Sequence, residues 1–169
     1  WNIQWCRGVD GRVDPQRMAR VIRELADADV ICLQEVARGF DSLAGSAGED
    51  QFALLAAEFP GFTALEGVAV DVPDGRGGRR QFGNLLLSRL PVRQAWRHLL
   101  PWPGDADHAD MQRIAVEAVI EAPDVGELRV TTTHLGYYSA AQRLAQIDGL
   151  RTLHASAHGH RVRPARADM

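Results

Sequence analysis

Residues Val30-Ile31-Cys32-Leu33-Gln34-Glu35-Val36 constrain the fold of this chain more than any other stretch. The run is apolar and weighted toward β-branched side chains, as a strand buried on both faces would be, yet it carries an acid near its end. Ligands of open α/β sheets sit outside the carboxyl ends of the strands, so a carboxylate there can face a ligand. On the local pattern alone, Glu35 is either such a site residue or a strand-end acid passing into a solvated loop.

The flanking sequence makes the run part of a βαβ unit. Residues 1–5 read as a strand whose beginning is cut off, and Gly8 and Gly11 mark a loop. Asp14-Pro15 is a helix start, with Asp as N-cap and Pro at the first helical position. Met18, Val21, Ile22 and Leu25 then recur at helical spacing, and the helix ends near Ala28. Residues 30–36 follow as the second strand, parallel to the first.

Beyond a Gly-, Ser- and Asp-rich loop over 38–50, residues 51–59 read as a helix stopped by Pro60-Gly61. Strands are expected at 62–70, 82–88, 93–100, 113–121 and 128–134, with antiparallel pairing because the connections are short. Ser139 and Gln142 form a capping box that opens a helix with Leu144, Ile147, Leu150 and Leu153 on one stripe. That helix frays near Gly159, and 158–169 reads as a basic, disordered tail after a domain over 1–157.

With 169 residues, 46% of them apolar, the chain has material for one core. Its net charge of −3 gives no global argument for nucleic acid or an anionic membrane. No run is long and apolar enough to span a bilayer, and no signal pattern opens the chain. Cys6 and Cys32 fall on core strands and read as buried thiols, which points to the cytoplasm; the first residue, Trp1, leaves a lost leader open.

Asn2, Glu35 and His134 are the polar residues at the ends of apolar strands. Singly, each has a bland reading: a truncated edge for Asn2, a loop acid for Glu35, a capping imidazole for His134. Together, an amide, a carboxylate and an imidazole at one sheet edge are what metal-assisted phosphate hydrolysis requires.

The blocks Trp1-Asn2-Ile3-Gln4, Asp29-Val30-Ile31-Cys32-Leu33-Gln34-Glu35, Gly83-Asn84-Leu85-Leu86-Leu87-Ser88-Arg89-Leu90-Pro91 and Thr132-Thr133-His134-Leu135 resemble the first four signatures of the endonuclease/exonuclease/phosphatase superfamily, in order and spacing. The resemblance implies an α/β fold of the deoxyribonuclease I type, with a mixed β-sheet and flanking helices, as an incomplete four-layer sandwich. It implies that Glu35 binds a divalent cation, Mg²⁺ or Mn²⁺, and that Asn2 and His134 contact the scissile phosphate. Arg113 and Asn84 lie on strands expected to approach the same edge and are weaker candidates for phosphate contact, against a favoured reading as exposed or sheet-edge polar residues. Substrates of such a site are phosphate esters: nucleic acid, a phosphoinositide or a phospholipid head group. The loops after Glu35 and His134, with Arg38, Tyr137 and Tyr138, would line the cleft.

The later family blocks, Gly-Asp-x-Asn and a terminal Asp-His, are not in this sequence. They would supply the residue that orients water and the general base, so the chain reads as the N-terminal part of a phosphoesterase with little hydrolysis of its own. Two other readings remain: an inactive remnant serving as a binding or dimerising half-domain, and an unrelated α/β domain. Because the chain would supply mainly one sheet, an apolar sheet face is expected to lie uncovered and to favour association.

Overall fold

The computed structural model describes residues 1–162, with side chains through residue 159. Its elements are α1 (Pro15–Leu25), β1 (Val30–Arg38), α2 (Gln51–Glu58), β2 (Thr63–Pro73), β3 (Arg79–Ser88), β4 (Val92–Leu99), β5 (Ile114–Ala122), β6 (Gly126–Thr133) and α3 (Ala140–Val162). They fall into two compact units. The first takes Trp1–Leu99 and Arg113–His134, and the second takes Leu100–Gln112 and the chain from Leu135.

The first unit contains two three-stranded antiparallel sheets, ordered β1-β3-β2 and β4-β5-β6. The expectation of mainly one sheet is thereby corrected. Strand alternation explains the layering, because side chains at successive positions point to opposite faces. On one face of β1 and β3, Ile31, Leu33, Leu85 and Leu87 pack with Ala19 and Ile22 of α1 and with Phe52 and Leu55 of α2. On the other face, Leu86 and Leu65 meet Val116, Ala118 and Ile120 of β5. The sheets approach closely at Gly67, where a Cβ would stand 2.1 Å from Val116 Cγ2.

The face of the second sheet turned away from this contact is polar. Glu117, 5% exposed, pairs there with Arg129, whose guanidinium stacks 4.9 Å from the Trp96 ring. An uncovered apolar face is therefore not what this sheet presents.

Helix α1 begins as the sequence dictates. The Asp14 carboxylate accepts a hydrogen bond from Arg17 N at 2.8 Å, with Pro15 at the first turn. Its buried stripe is Pro15, Ala19 and Ile22, while Leu25 is 69% exposed, because the helix ends at Leu25 rather than near Ala28. Arg89 then fastens the turn into β1: its guanidinium donates to Asp29 at 2.8 Å and Asp27 at 2.7 Å, and its backbone N–H donates to Asp29 O. The Arg89 guanidinium beside Asp27 holds that carboxyl below the usual carboxylate range.

Residues 1–5 do not form a strand. Asn2 makes one parallel bridge to Gln34, and the chain then turns through Gln4–Cys6 with φ of 47°, 43° and 60°. Such left-handed geometry costs a non-glycine residue about 1–2 kcal/mol. It carries the chain off the sheet edge immediately after Asn2.

In the second unit, Ser139 Oγ accepts from Gln142 N at 3.1 Å, one half of a capping box. The reciprocal half is not made: Gln142 Oε1 accepts no hydrogen bond, and the amide nitrogen donates to Pro103 O at 2.9 Å. Gln142 and Gln146 are buried, whereas Leu144 of the expected apolar stripe is 63% exposed. Gln146 Oε1 accepts from Gly136 N, so this face of the helix receives loop backbone, which needs amides rather than leucines. The helix continues through Gly159 to Val162; the remainder of the expected tail lies outside the described residues. Among the described residues no helix is long and apolar enough to cross a membrane.

Both cysteines are free thiols. Burial pushes the Cys6 thiol up to about 12. Native protein at pH 8 is therefore expected to alkylate at Cys6 on the order of a thousandfold more slowly than a free thiol, with full reactivity restored by denaturant. Mass spectrometry of iodoacetamide-treated samples checks this. Leu85→Ala, at a fully buried position of β3 in the helix-side core, is expected to cost about 2–5 kcal/mol in urea unfolding.

Candidate phosphoesterase site

The geometry of the site starts from a register shift in β1. Gln34 pairs with Asn84 of β3 and Val36 with Gly83, so Glu35 has no partner and forms a β-bulge with φ of 62°. Regular alternation would place Glu35 on the same face as Ile31 and Leu33, inside the helix-side core. The bulge puts Val36 there instead, at 0% exposure, and turns the acid out of the ladder. The sequence-based placement of Glu35 at a strand end is corrected: the strand continues past it to Arg38.

Gln34 then joins the surrounding pieces. Its backbone N–H donates to Trp1 O and its carbonyl accepts from Ile3 N, which sets Asn2 beside Glu35. Its side-chain amide donates to Thr132 Oγ1 at 3.0 Å, across to β6 of the second sheet. Thr132 is two residues before His134, which follows the end of β6.

The outcome is convergence. Asn2 Nδ2 donates to Glu35 Oε1 at 2.9 Å, and His134 Nδ1 lies 3.7 Å from the same oxygen. Asn2 Oδ1 accepts from Gln4 N, so the left-handed turn orients the amide. The Glu35 and His134 side chains are 18% and 25% exposed, enclosed enough to be ordered and open enough to meet a substrate. Groups this close share one site, which excludes the reading in which the three residues lie far apart.

One of the weaker candidates, Asn84, is placed differently. Asn84 is 3% exposed, and its amide donates to Ile114 O at 3.0 Å, a strut between the sheets rather than a group held toward a substrate. Arg113, just before β5, is 6% exposed. Arg38 is engaged by Asp50 at 2.7 Å, Glu66 at 2.9 Å and Gln81 at 2.7 Å, and stacks on Phe52. It braces the exit of β1 instead of lining a cleft. Tyr137 and Tyr138 are 75% and 63% exposed and contact each other edge to face; they belong to the second unit. A shallow groove along the edges of β2 and β4, lined by Ala64, Glu66, Val68, Arg97, Leu99 and Ile114, contains none of Asn2, Glu35 or His134.

The donor set suits a hard cation. Among the described residues, no three His, Cys, Asp or Glu side chains cluster to hold an ion by themselves. Glu35 is the carboxylate at this edge through which a cation could be held.

Sequence reasoning missed Gln34, Gln51 and Thr132. A signal existed for the first, since apolar residues at 31, 33 and 36 break a period of two at the acid.

The first unit thus presents an amide, a carboxylate and an imidazole together at one edge of a two-sheet core. The endonuclease/exonuclease/phosphatase family model matches residues 1–162, and the chain belongs to that family. Among solved structures, an endonuclease/exonuclease/phosphatase from Beutenbergia cavernae is 31% identical with a TM-score of 0.61. The match covers 83% of this chain and 38% of that one. A family protein from Leptotrichia buccalis is 13% identical with a TM-score of 0.59, over 90% of this chain and 60% of that one, and shares the fold. The chain thus spans less than two thirds of the length of either structure. Comparison with curated protein sequences gives no match.

The bulge has a measurable cost. Glu35→Gly is expected to be more stable than Glu35→Ala by about 1 kcal/mol in chemical unfolding, because only glycine accepts a positive φ without strain. Equal stabilities would show that the bulge is not strained.

Proposed function

We propose that Asn2, Glu35 and His134 form the phosphate-binding half of a metal-dependent phosphoesterase centre that hydrolyses phosphodiesters or phosphomonoesters. The observation that carries this reading is the meeting of Asn2 Nδ2 and His134 Nδ1 on one carboxylate oxygen, at 2.9 and 3.7 Å. With Oε1 engaged by the amide, Oε2 is the oxygen through which Glu35 would hold Mg²⁺ or Mn²⁺. A bound cation would neutralise charge on the phosphoryl group. His134 donates to a phosphoryl oxygen and stabilises the charge that develops there, while Asn2 fixes the carboxylate and faces the same phosphate.

In this reading, the general base and the water-orienting carboxylate come from sequence outside the 169 residues. The substrates fitting the site are phosphate esters, with nucleic acid, a phosphoinositide and a phospholipid head group as the members to screen.

Calorimetric titration with Mn²⁺ and hydrolysis of bis-p-nitrophenyl phosphate test the proposal together. Mn²⁺ binding is expected in the wild type and lost in Glu35→Ala, whereas His134→Ala keeps the binding. In a longer protein that carries the missing blocks, His134→Ala is expected to lower kcat by about a hundredfold or more. A folded chain with no cation affinity would favour an inactive half-domain and remove the phosphoesterase reading.

A further inference from the structure

The inference concerns Gln51; it deepens the phosphoesterase reading of the Glu35 site and rests on it. After the bridge at Gln34, the Asn2 segment leaves β1 through the left-handed turn Gln4–Cys6, so among the described residues no strand neighbours that edge of β1 past Glu35. Backbone donors on such an edge need partners when buried. Gln51 supplies one. Its Oε1 accepts from Ala37 N at 3.1 Å, two residues beyond the bulge.

The other end of the same amide is equally committed. Gln51 Nε2 donates to Trp5 O at 2.9 Å, inside the turn that follows Asn2, and to Glu49 Oε1 at 2.6 Å. The residue is 0% exposed, so water does not replace these bonds. One planar amide therefore spans the segment after Asn2 and the strand after Glu35. Together with the Gln34 bonds to Trp1 and Ile3, it holds the two backbones that flank the Asn2–Glu35 contact.

Gln51 is itself held firmly. It is the first residue of α2, whose N-cap Asp50 accepts from Ala53 N at 3.0 Å and pairs with Arg38 at 2.7 Å, next to Ala37. Phe52 and Leu55, both at 0% exposure, seat the helix in the core. We propose that Gln51 is a positioning residue: it sets the distance between Asn2 and the Glu35 carboxylate and thereby the cation affinity of the site, without touching substrate.

The test reads the geometry and the affinity separately. In ¹H–¹⁵N spectra of the 169-residue chain, the Asn2 side-chain amide signal is expected to move in Gln51→Met toward its position in Glu35→Ala. Mn²⁺ affinity is expected to fall by about tenfold or more, as when a group that orients a ligand is removed. Gln51→Glu keeps the volume and the acceptor for Ala37, loses the donors to Trp5 and Glu49 and sets its carboxylate against that of Glu49; it provides the same readout if the Met variant does not fold. A folded variant of either kind with wild-type Asn2 resonances and Mn²⁺ affinity would overturn the proposal. Should the wild type bind no Mn²⁺, the phosphoesterase reading fails, and the Asn2 resonances still decide whether Gln51 holds the Asn2–Glu35 contact.

Discussion

An acid in the middle of a buried strand is the constraint around which the first unit is built. Ile31 and Leu33 commit one face of β1 to the helix-side core, and a strand of regular alternation would carry Glu35 into it. Burying an unpaired carboxylate costs far more than the 1–3 kcal/mol of a strained backbone, so the strand bulges instead. The bulge serves packing and chemistry at once. Val36 fills the core position, and the freed carboxylate faces the edge where Asn2 and His134 arrive.

Glutamines do the joining work around that bulge. Gln34 ties β1 to the Asn2 segment through its backbone and to β6 through its side chain, while Gln51 holds the strand on the far side. An amide suits this task because it offers a donor and an acceptor without the desolvation cost of a charge. The charged groups nearby are arranged differently: Arg38 is surrounded by Asp50, Glu66 and Gln81, and Arg89 by Asp27 and Asp29. These pairs fasten the ends of β1 and leave its middle to neutral hydrogen bonds.

Most of the strands and the start of α1 could be read from the sequence, because alternation, Asp14-Pro15 and the glycine-rich turns act locally. The convergence of Asn2, Glu35 and His134 was readable through the order of the motif blocks. What escaped depended on distant partners. Residues 1–5 have the composition of a strand, but the left-handed turn at Gln4–Cys6 is held by Gln51, which is far along the chain. The second sheet was underestimated because nothing local in β4 to β6 says that Val116, Ala118 and Ile120 will face Leu86 rather than helices.

Asn84 shows how the same residue type divides between site and scaffold. It lies in a recognisable block and pairs directly with Gln34 in the ladder, one residue from Glu35. Side chains of paired residues share a face, so Asn84 and Gln34 both point toward the second sheet, and each spends its amide there, on Ile114 O and Thr132 Oγ1. Glu35 alone leaves that pattern, because the bulge removes it from the alternation that holds its neighbours. Gln34 and Asn84 therefore bind the two sheets together, whereas at Glu35 the backbone departs from the ladder and the carboxylate is left for the edge.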